Sequence, residues 1–156
     1  ELTSMAIPAP LLDVMQANKG TPGLYGSVIA RTLFFDAHIC EAVQERGFRQ
    51  FVSLGAGYDM RSSRKLYNQP DVRQGDAFEN KPALSLRKVK GMRAFEVDLE
   101  LTQQDKKTLL KKHGFPMEHL AFVATDMEKT SVDELMQRLE EQGFDRSHPT
   151  VVLIEG

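Results

Sequence analysis

Phe51-Val52-Ser53-Leu54-Gly55-Ala56-Gly57-Tyr58-Asp59 is the stretch whose reading decides the fold. Together with Gln50 its first residues make a short apolar run that stops at glycines. A run this brief, with β-branching, reads as a buried strand over Gln50–Leu54 rather than a helix. Gly55-Ala56-Gly57 then turns the chain tightly. Asp59 is placed to cap a helix over Met60–Tyr67.

Working outward, three more apolar runs follow at intervals. Arg93–Val97, Leu120–Ala124 and Thr150–Ile154 read as strands. Between them lie a helical stretch from Thr102 to His113, stopped by Gly114, and a second from Ser131 to Gly143. Ser131-Val132-Asp133-Glu134 has the form of a capping box. Val132, Leu135, Met136 and Leu139 trace one helical face behind it. Before the first strand, Ile29, Leu33, Ala37, Cys40 and Val43 recur at steps of three and four, which predicts a helix over Ser27–Glu45 ending at Gly47. Pro8, Pro10, Gly20, Pro22 and Gly23 break the first 26 residues, with a short helix at Pro10–Gln16. Residues 68–91 are polar, carry Pro70, Gly75, Pro82 and Gly91, and read as a loop insertion with a helical turn near Ala83–Val89. Its Arg87, Lys88 and Lys90, with Arg93, read as a solvated charged loop rather than a basic lid.

Alternating strands and helices predict an α/β fold with a mainly parallel sheet, right-handed crossovers and flanking helices. The domain reading is a helical segment over residues 1–48 that covers the ligand site, followed by an α/β core over 49–156. The chain stops on its fourth strand, so the sheet is expected to be incomplete and to need further residues or another chain.

Composition sets limits. At 156 residues with 41% apolar and 27% charged content, the chain is an ordinary globular domain with a sizeable core. A formal net charge of −2 gives no broad pull toward nucleic acid. No apolar run reaches membrane-spanning length. Cys40 is the sole cysteine, so an internal disulfide framework is excluded, no metal spacing such as CxxC is present, and a cytoplasmic setting is expected. No metal is expected.

Ligands of such sheets bind beyond the carboxyl ends of the strands. Four signals fall there. Gly55 and Gly57 let a ligand approach the backbone. Asp98, after the second long strand, is suited to accept from ribose hydroxyls, with Glu96 assigned to the opposite face. Asp126 could accept from an adenine amino group while Met127 packs on the ring. Glu155 closes the fourth strand at the same edge. Each alone has a plain structural explanation, a turn, a cap or a core methionine; together they converge on one crevice. A dinucleotide fingerprint is the rival, but position 60 holds Met where a third glycine belongs, and Asp98 lies 41 residues beyond Gly57.

The wording of these segments resembles the leucine carboxyl methyltransferase family. Ala30-Arg31-Thr32-Leu33-Phe34-Phe35-Asp36 is similar to its "ARTxxFD". Arg49 through Arg61 is similar to "QVVxLGAGxDTR", and Phe95-Glu96-Val97-Asp98 matches "FEVD". Gly143-Phe144-Asp145, Pro149-Thr150 and Glu155-Gly156 match "GFD…PT…EG". The resemblance covers about residues 28–156 outside the loop.

It implies a Rossmann-like class I methyltransferase fold and S-adenosyl-L-methionine as cofactor. Arg31 would hold the cofactor's carboxylate. Gly55 and Gly57, in one turn with Ala56 and Asp59, would pass beside its methionine part. Asp98 would hold the ribose, Asp126 and Met127 the adenine, and Glu155 would sit near the amino group or the sulfonium. The reaction implied is methyl transfer to an oxygen, a carboxylate or hydroxyl of a protein C-terminus or a small molecule. Two alternatives stand beside it: a half-domain that binds cofactor or partner without transfer, and an NAD(P)-binding oxidoreductase domain.

The sequence departs from the family at Met60, where Thr is common, and in its long loop. Lys106 and Lys107 are equal candidates for the family's lysine. No catalytic base is named: His38, His113, His119 and His148 read as surface or helix-end residues, and Cys40 as core.

Overall fold

The computed structural model describes residues 24–67 and 82–155. The Pro10–Gln16 helix, residues 68–81 of the loop and Gly156 lie outside the described residues. The described elements are α1 (Leu24–Gln44), β1 (Gln50–Leu54), β2 (Lys65–Tyr67), β3 (Pro82–Ser85), β4 (Arg93–Asp98), α2 (Glu100–Lys112), β5 (Leu120–Ala124), α3 (Val132–Glu141) and β6 (Thr150–Ile154). A 3-10 turn over Leu86–Lys88 separates β3 from β4.

β1, β4, β5 and β6 form one parallel sheet in the order β5-β4-β1-β6. The expected α/β fold is therefore present, with β1 inside the sheet. β1 pairs on both sides, Val52 opposite Phe95 and opposite Val152. Three of the four strands occupy the spans read from the sequence, and β4 runs one residue longer, to Asp98.

Residues two apart on a strand share a face, so each side of the sheet has its own core. On the α1 side Ile39, Cys40 and Val43 pack with Phe51, Ala94, Leu153, Leu66 and Leu86. On the α3 side Val52, Phe95, Val97, Ala121 and Val123 pack with Leu139. Phe51 and Phe95 are fully buried, each contributing about 1.5–3 kcal/mol relative to exposure. Cys40 sits in the first core, and burial pushes its thiol up to about 11, the behaviour of a packing residue.

α3 begins as its sequence predicts. Ser131 accepts from the Glu134 amide, and the Glu134 carboxylate accepts from the Ser131 amide. The same contact to Ser131 holds the Glu134 carboxyl below its ordinary value. The helix ends at Gly143, whose φ of 88° suits glycine. There the Gly143 amide bonds Glu140 and the Phe144 amide bonds Leu139, so Phe144 folds back edge-on to Phe95. Val132, placed on the apolar face by its spacing, is 77% exposed; it sits in the first turn, away from the Leu139 end that packs on the sheet.

Two expectations fail. The helix over Met60–Tyr67 is absent: residues 61–64 are turn and β2 follows, antiparallel to β3. Asp59 makes the bond of a capping residue, accepting from the Arg61 amide, and its other oxygen accepts from the Arg61 side chain, but β2 draws Leu66 into the core and no helix follows. The helical turn over Ala83–Val89 is a strand followed by the 3-10 turn at Leu86–Lys88. Leu66 and Leu86 are fully buried, and this ribbon places them in the α1-side core. Arg87, Lys88, Lys90 and Arg93 are exposed, as a solvated charged segment requires. Among the described residues no helix is long and apolar enough to cross a membrane.

Candidate cofactor site

The turn after β1 is tied to the strand beside it. The Ala56 amide bonds the Val97 carbonyl, and the Gly57 amide donates to Asp98 Oδ2 at 2.6 Å. Asp98 Oδ1 accepts from the Leu99 amide at 2.7 Å. Each Asp98 oxygen thus holds one backbone donor and keeps capacity for another. Gly55 has φ 66°, and a Cβ there would lie 3.7 Å from Met127 Cε. The loop after β5 is therefore folded against the glycine turn. Asp126, next to Met127, directs its carboxylate to Lys129 at 2.7 Å, which holds it below its usual range.

A second group meets at the end of β6. Arg31, on α1, places Nε 2.7 Å from Glu155 Oε1. Arg61 Nη1 lies 2.5 Å from Glu155 Oε2 and 2.6 Å from Asp59 Oδ2, and Arg61 Nε bonds Asp36 Oδ1 at 2.9 Å. Arg64 adds contacts of 2.6 and 2.8 Å to Asp36. Burial opposes the charge on Arg61, but Asp59, Asp36 and Glu155 outweigh it and hold the guanidinium above its ordinary value.

Below the turn lies a third contact. Lys106 Nζ is 2.7 Å from Glu96 Oε2 and donates to the Asp59 carbonyl at 2.5 Å. Both side chains are buried, at 3% and 2% exposure. Burial raises the Glu96 carboxyl above its ordinary value, and Lys106 opposes this. Glu96 is two residues from Asp98 and shares its face, so the assignment to the opposite face is incorrect: the strand period is two. Lys107 instead lies over the Phe122 ring, which separates the two candidate lysines.

All nine residues singled out from the sequence thus lie around the carboxyl ends of the strands or on the adjoining α1. The structure joins Gly55, Gly57, Asp98 and Met127 in one group, and Arg31, Asp59 and Glu155 in the other. Ala56, in the glycine turn, is buried. The carboxylate of Asp126 is engaged with its own loop. The glycine turn opens no helix; its Ala56 amide bonds the Val97 carbonyl, its Gly57 amide Asp98, and the Asp59 amide the Ala56 carbonyl.

Sequence reasoning gave Asp36 and Arg61 no role, set Glu96 on the wrong face and left Lys106 level with Lys107. Two signals were available. Glu96 lies inside a strand of a parallel sheet, where both faces are covered and a carboxylate needs a partner. Asp36 likewise falls four and seven residues before Cys40 and Val43, on the buried stripe of α1.

His119 shares a hydrogen bond with the Ser62 carbonyl, His38 is beside Glu41, and His148 is beside Asp145.

Comparison with known proteins fits this geometry. The model of the leucine carboxyl methyltransferase family matches residues 3–79 and 81–156. The chain belongs to the leucine carboxyl methyltransferase family. A protein of Mycobacterium sp. (strain KMS), named "Putative S-adenosyl-L-methionine-dependent methyltransferase", is 33% identical over 129 residues. Proteins of the same name from Mycobacteroides abscessus and Mycolicibacterium paratuberculosis are 30% and 31% identical. These matches cover 81%, 81% and 83% of the chain, but 38%, 34% and 34% of the relatives. The chain spans little more than a third of their length. Membership makes S-adenosyl-L-methionine the expected cofactor, and the oxidoreductase alternative has no support.

The chemistry of the residues is compatible with that cofactor: Arg31 would offer a cation to its carboxylate, Glu155 a carboxylate to its ammonium, and Asp98 an acceptor pair to its ribose. The glycine backbone beneath Met127 is open where a side chain would fill the space.

Proposed function

We propose that this chain forms the S-adenosyl-L-methionine-binding portion of a methyltransferase that acts on an oxygen. The observation that carries the reading is Asp98, bonded to the Gly57 amide at the mouth of the glycine turn, with acceptor capacity left on both oxygens. Arg31 and Glu155 hold the cofactor's amino-acid end. Gly55, Ala56, Gly57 and Asp59 form the wall beside it. Asp98 holds the ribose, and Asp126 and Met127 the adenine.

When bound, the cofactor supplies the sulfonium methyl; this chain orients it and shields it from water. An acceptor carboxylate is already nucleophilic, so it needs no general base. The name of the family supports a carboxylate acceptor, on a protein C-terminus or a small molecule. Further residues or another chain would complete the sheet at β6, a reading supported by Val152 and Ile154, which are 57% and 70% exposed. A cytoplasmic setting belongs to the same reading and is supported by the lone buried cysteine.

Calorimetric titration with S-adenosylhomocysteine tests the site. Binding at one ligand per chain is expected, and Asp98→Ala should weaken it by about a hundredfold while the circular dichroism spectrum is unchanged. Unchanged affinity in Asp98→Ala would remove Asp98 from the site.

A further inference from the structure

We propose that Arg61 is a positioning residue: it fixes the carboxylate of Glu155 for an ammonium group, and so sets recognition of the ligand's amino-acid end apart from its nucleoside end. The proposal rests on the reading of Arg31 and Glu155 as cofactor contacts.

One guanidinium touches carboxylates from three separate parts of the chain. Its Nε edge meets Asp36 on α1, and its Nη1 meets Asp59 in the glycine turn and Glu155 after β6. The Arg61 side chain is 5% exposed and Asp36 is fully buried. The fork is planar and rigid, so fixing one edge aims the other. Asp36 fixes the Nε edge and is itself gripped by Arg64. Glu155 is then held through both oxygens, Oε2 by Arg61 and Oε1 by Arg31.

Charge explains why this arrangement suits an amino acid. A bare arginine beside Glu155 would repel an incoming ammonium. Across the cluster Arg31, Arg61 and Arg64 balance Asp36, Asp59 and Glu155, so no net positive charge opposes an ammonium, and when Arg31 turns to the ligand's carboxylate, Glu155 Oε1 is left for the cation while Arg61 keeps Oε2 in place. Arg31, on the outer side and 47% exposed, is placed for the ligand's own carboxylate. Buried ion pairs of this sort add little net stability compared with apolar packing, which leaves positioning as the property they supply.

The test compares two ligands by calorimetry on the wild-type chain, Arg61→Lys and Arg61→Met. S-adenosylhomocysteine carries the amino-acid end; 5′-methylthioadenosine keeps the nucleoside and sulfur and lacks it. Arg61→Met should weaken S-adenosylhomocysteine by about tenfold and leave 5′-methylthioadenosine within about twofold. Arg61→Lys keeps the charge but not the fork, and should weaken S-adenosylhomocysteine alone by about threefold. Equal loss for both ligands overturns the proposal, as does unchanged affinity for both. If Arg61→Met does not fold, Arg61→Lys decides by the same split; failure of both to fold makes Arg61 structural and also overturns it. A wild-type chain that binds neither ligand overturns the cofactor reading with it, whereas wild-type binding of both without a split in the variants overturns this inference alone.

Discussion

The two faces of the sheet are built from alternating residues of the same strands, and they differ in chemistry. On the α3 side, Val52, Phe95, Val97, Ala121 and Val123 meet an amphipathic helix, and the packing is apolar. On the α1 side the lower half is equally apolar, with Phe51, Ala94 and Leu153. Its upper half is charged: Glu96 and Asp98 on β4 face Lys106 and the Gly57 amide. One face does only packing. The other grades from packing into a site within one strand, between Ala94 and Asp98. Stability and ligand recognition are thus separated across a single sheet, and substitutions on the two sides should behave differently.

The largest effect is expected on the apolar face. Phe95 is fully buried against Phe144, and Phe95→Ala should cost about 4 kcal/mol in urea unfolding. That loss should be flat with pH, because no titratable group is involved. Lys106→Met, on the charged face, should cost about 3 kcal/mol near neutral pH, since it leaves Glu96 buried without its cation. Here the loss should depend on pH. Burial already raises the Glu96 carboxyl, and removing Lys106 raises it further. A carboxyl raised in the folded state contributes fully below its unfolded value, about 4.3, and loses that contribution as pH rises through the folded value. The Lys106→Met deficit should therefore grow as pH rises above that unfolded value. A deficit that shrinks over that range would mean Glu96 is not the group left exposed to the loss. The smallest effect is expected at the capping box: Ser131→Ala should cost about 1 kcal/mol by the same measurement and leave ligand affinity unchanged.

The apolar face was legible in the sequence. β1, β5 and β6 are short apolar runs with clear stops, and α3 carries both a capping box and a spaced stripe. The charged face was legible only in part. Asp98, Met127 and Glu155 stand at strand ends, where topology alone draws attention to them. Arg61 does not: its partners Asp36 and Glu155 are 25 and 94 residues away, and no local period reports such pairings. The same cause defeated the helix expected after Asp59. A capping aspartate and a polar run read locally as a helix start, and Asp59 does bond the Arg61 amide as a cap would, but Leu66 is drawn into the core by β2. Tertiary pairing overrode local preference at the segment where the long-range ion pairs converge.

The strand order has a consequence in time. β1 pairs on one edge with β6, Gln50 opposite Thr150, and the Gln50 side chain also bonds Thr150. During synthesis that edge waits for a partner made 100 residues later, about 5–20 s at ribosomal rates. Until then Phe51 and Val52 stand beside an open row of backbone donors and acceptors, and the nascent chain is most vulnerable to mispairing at the strand that will become its centre.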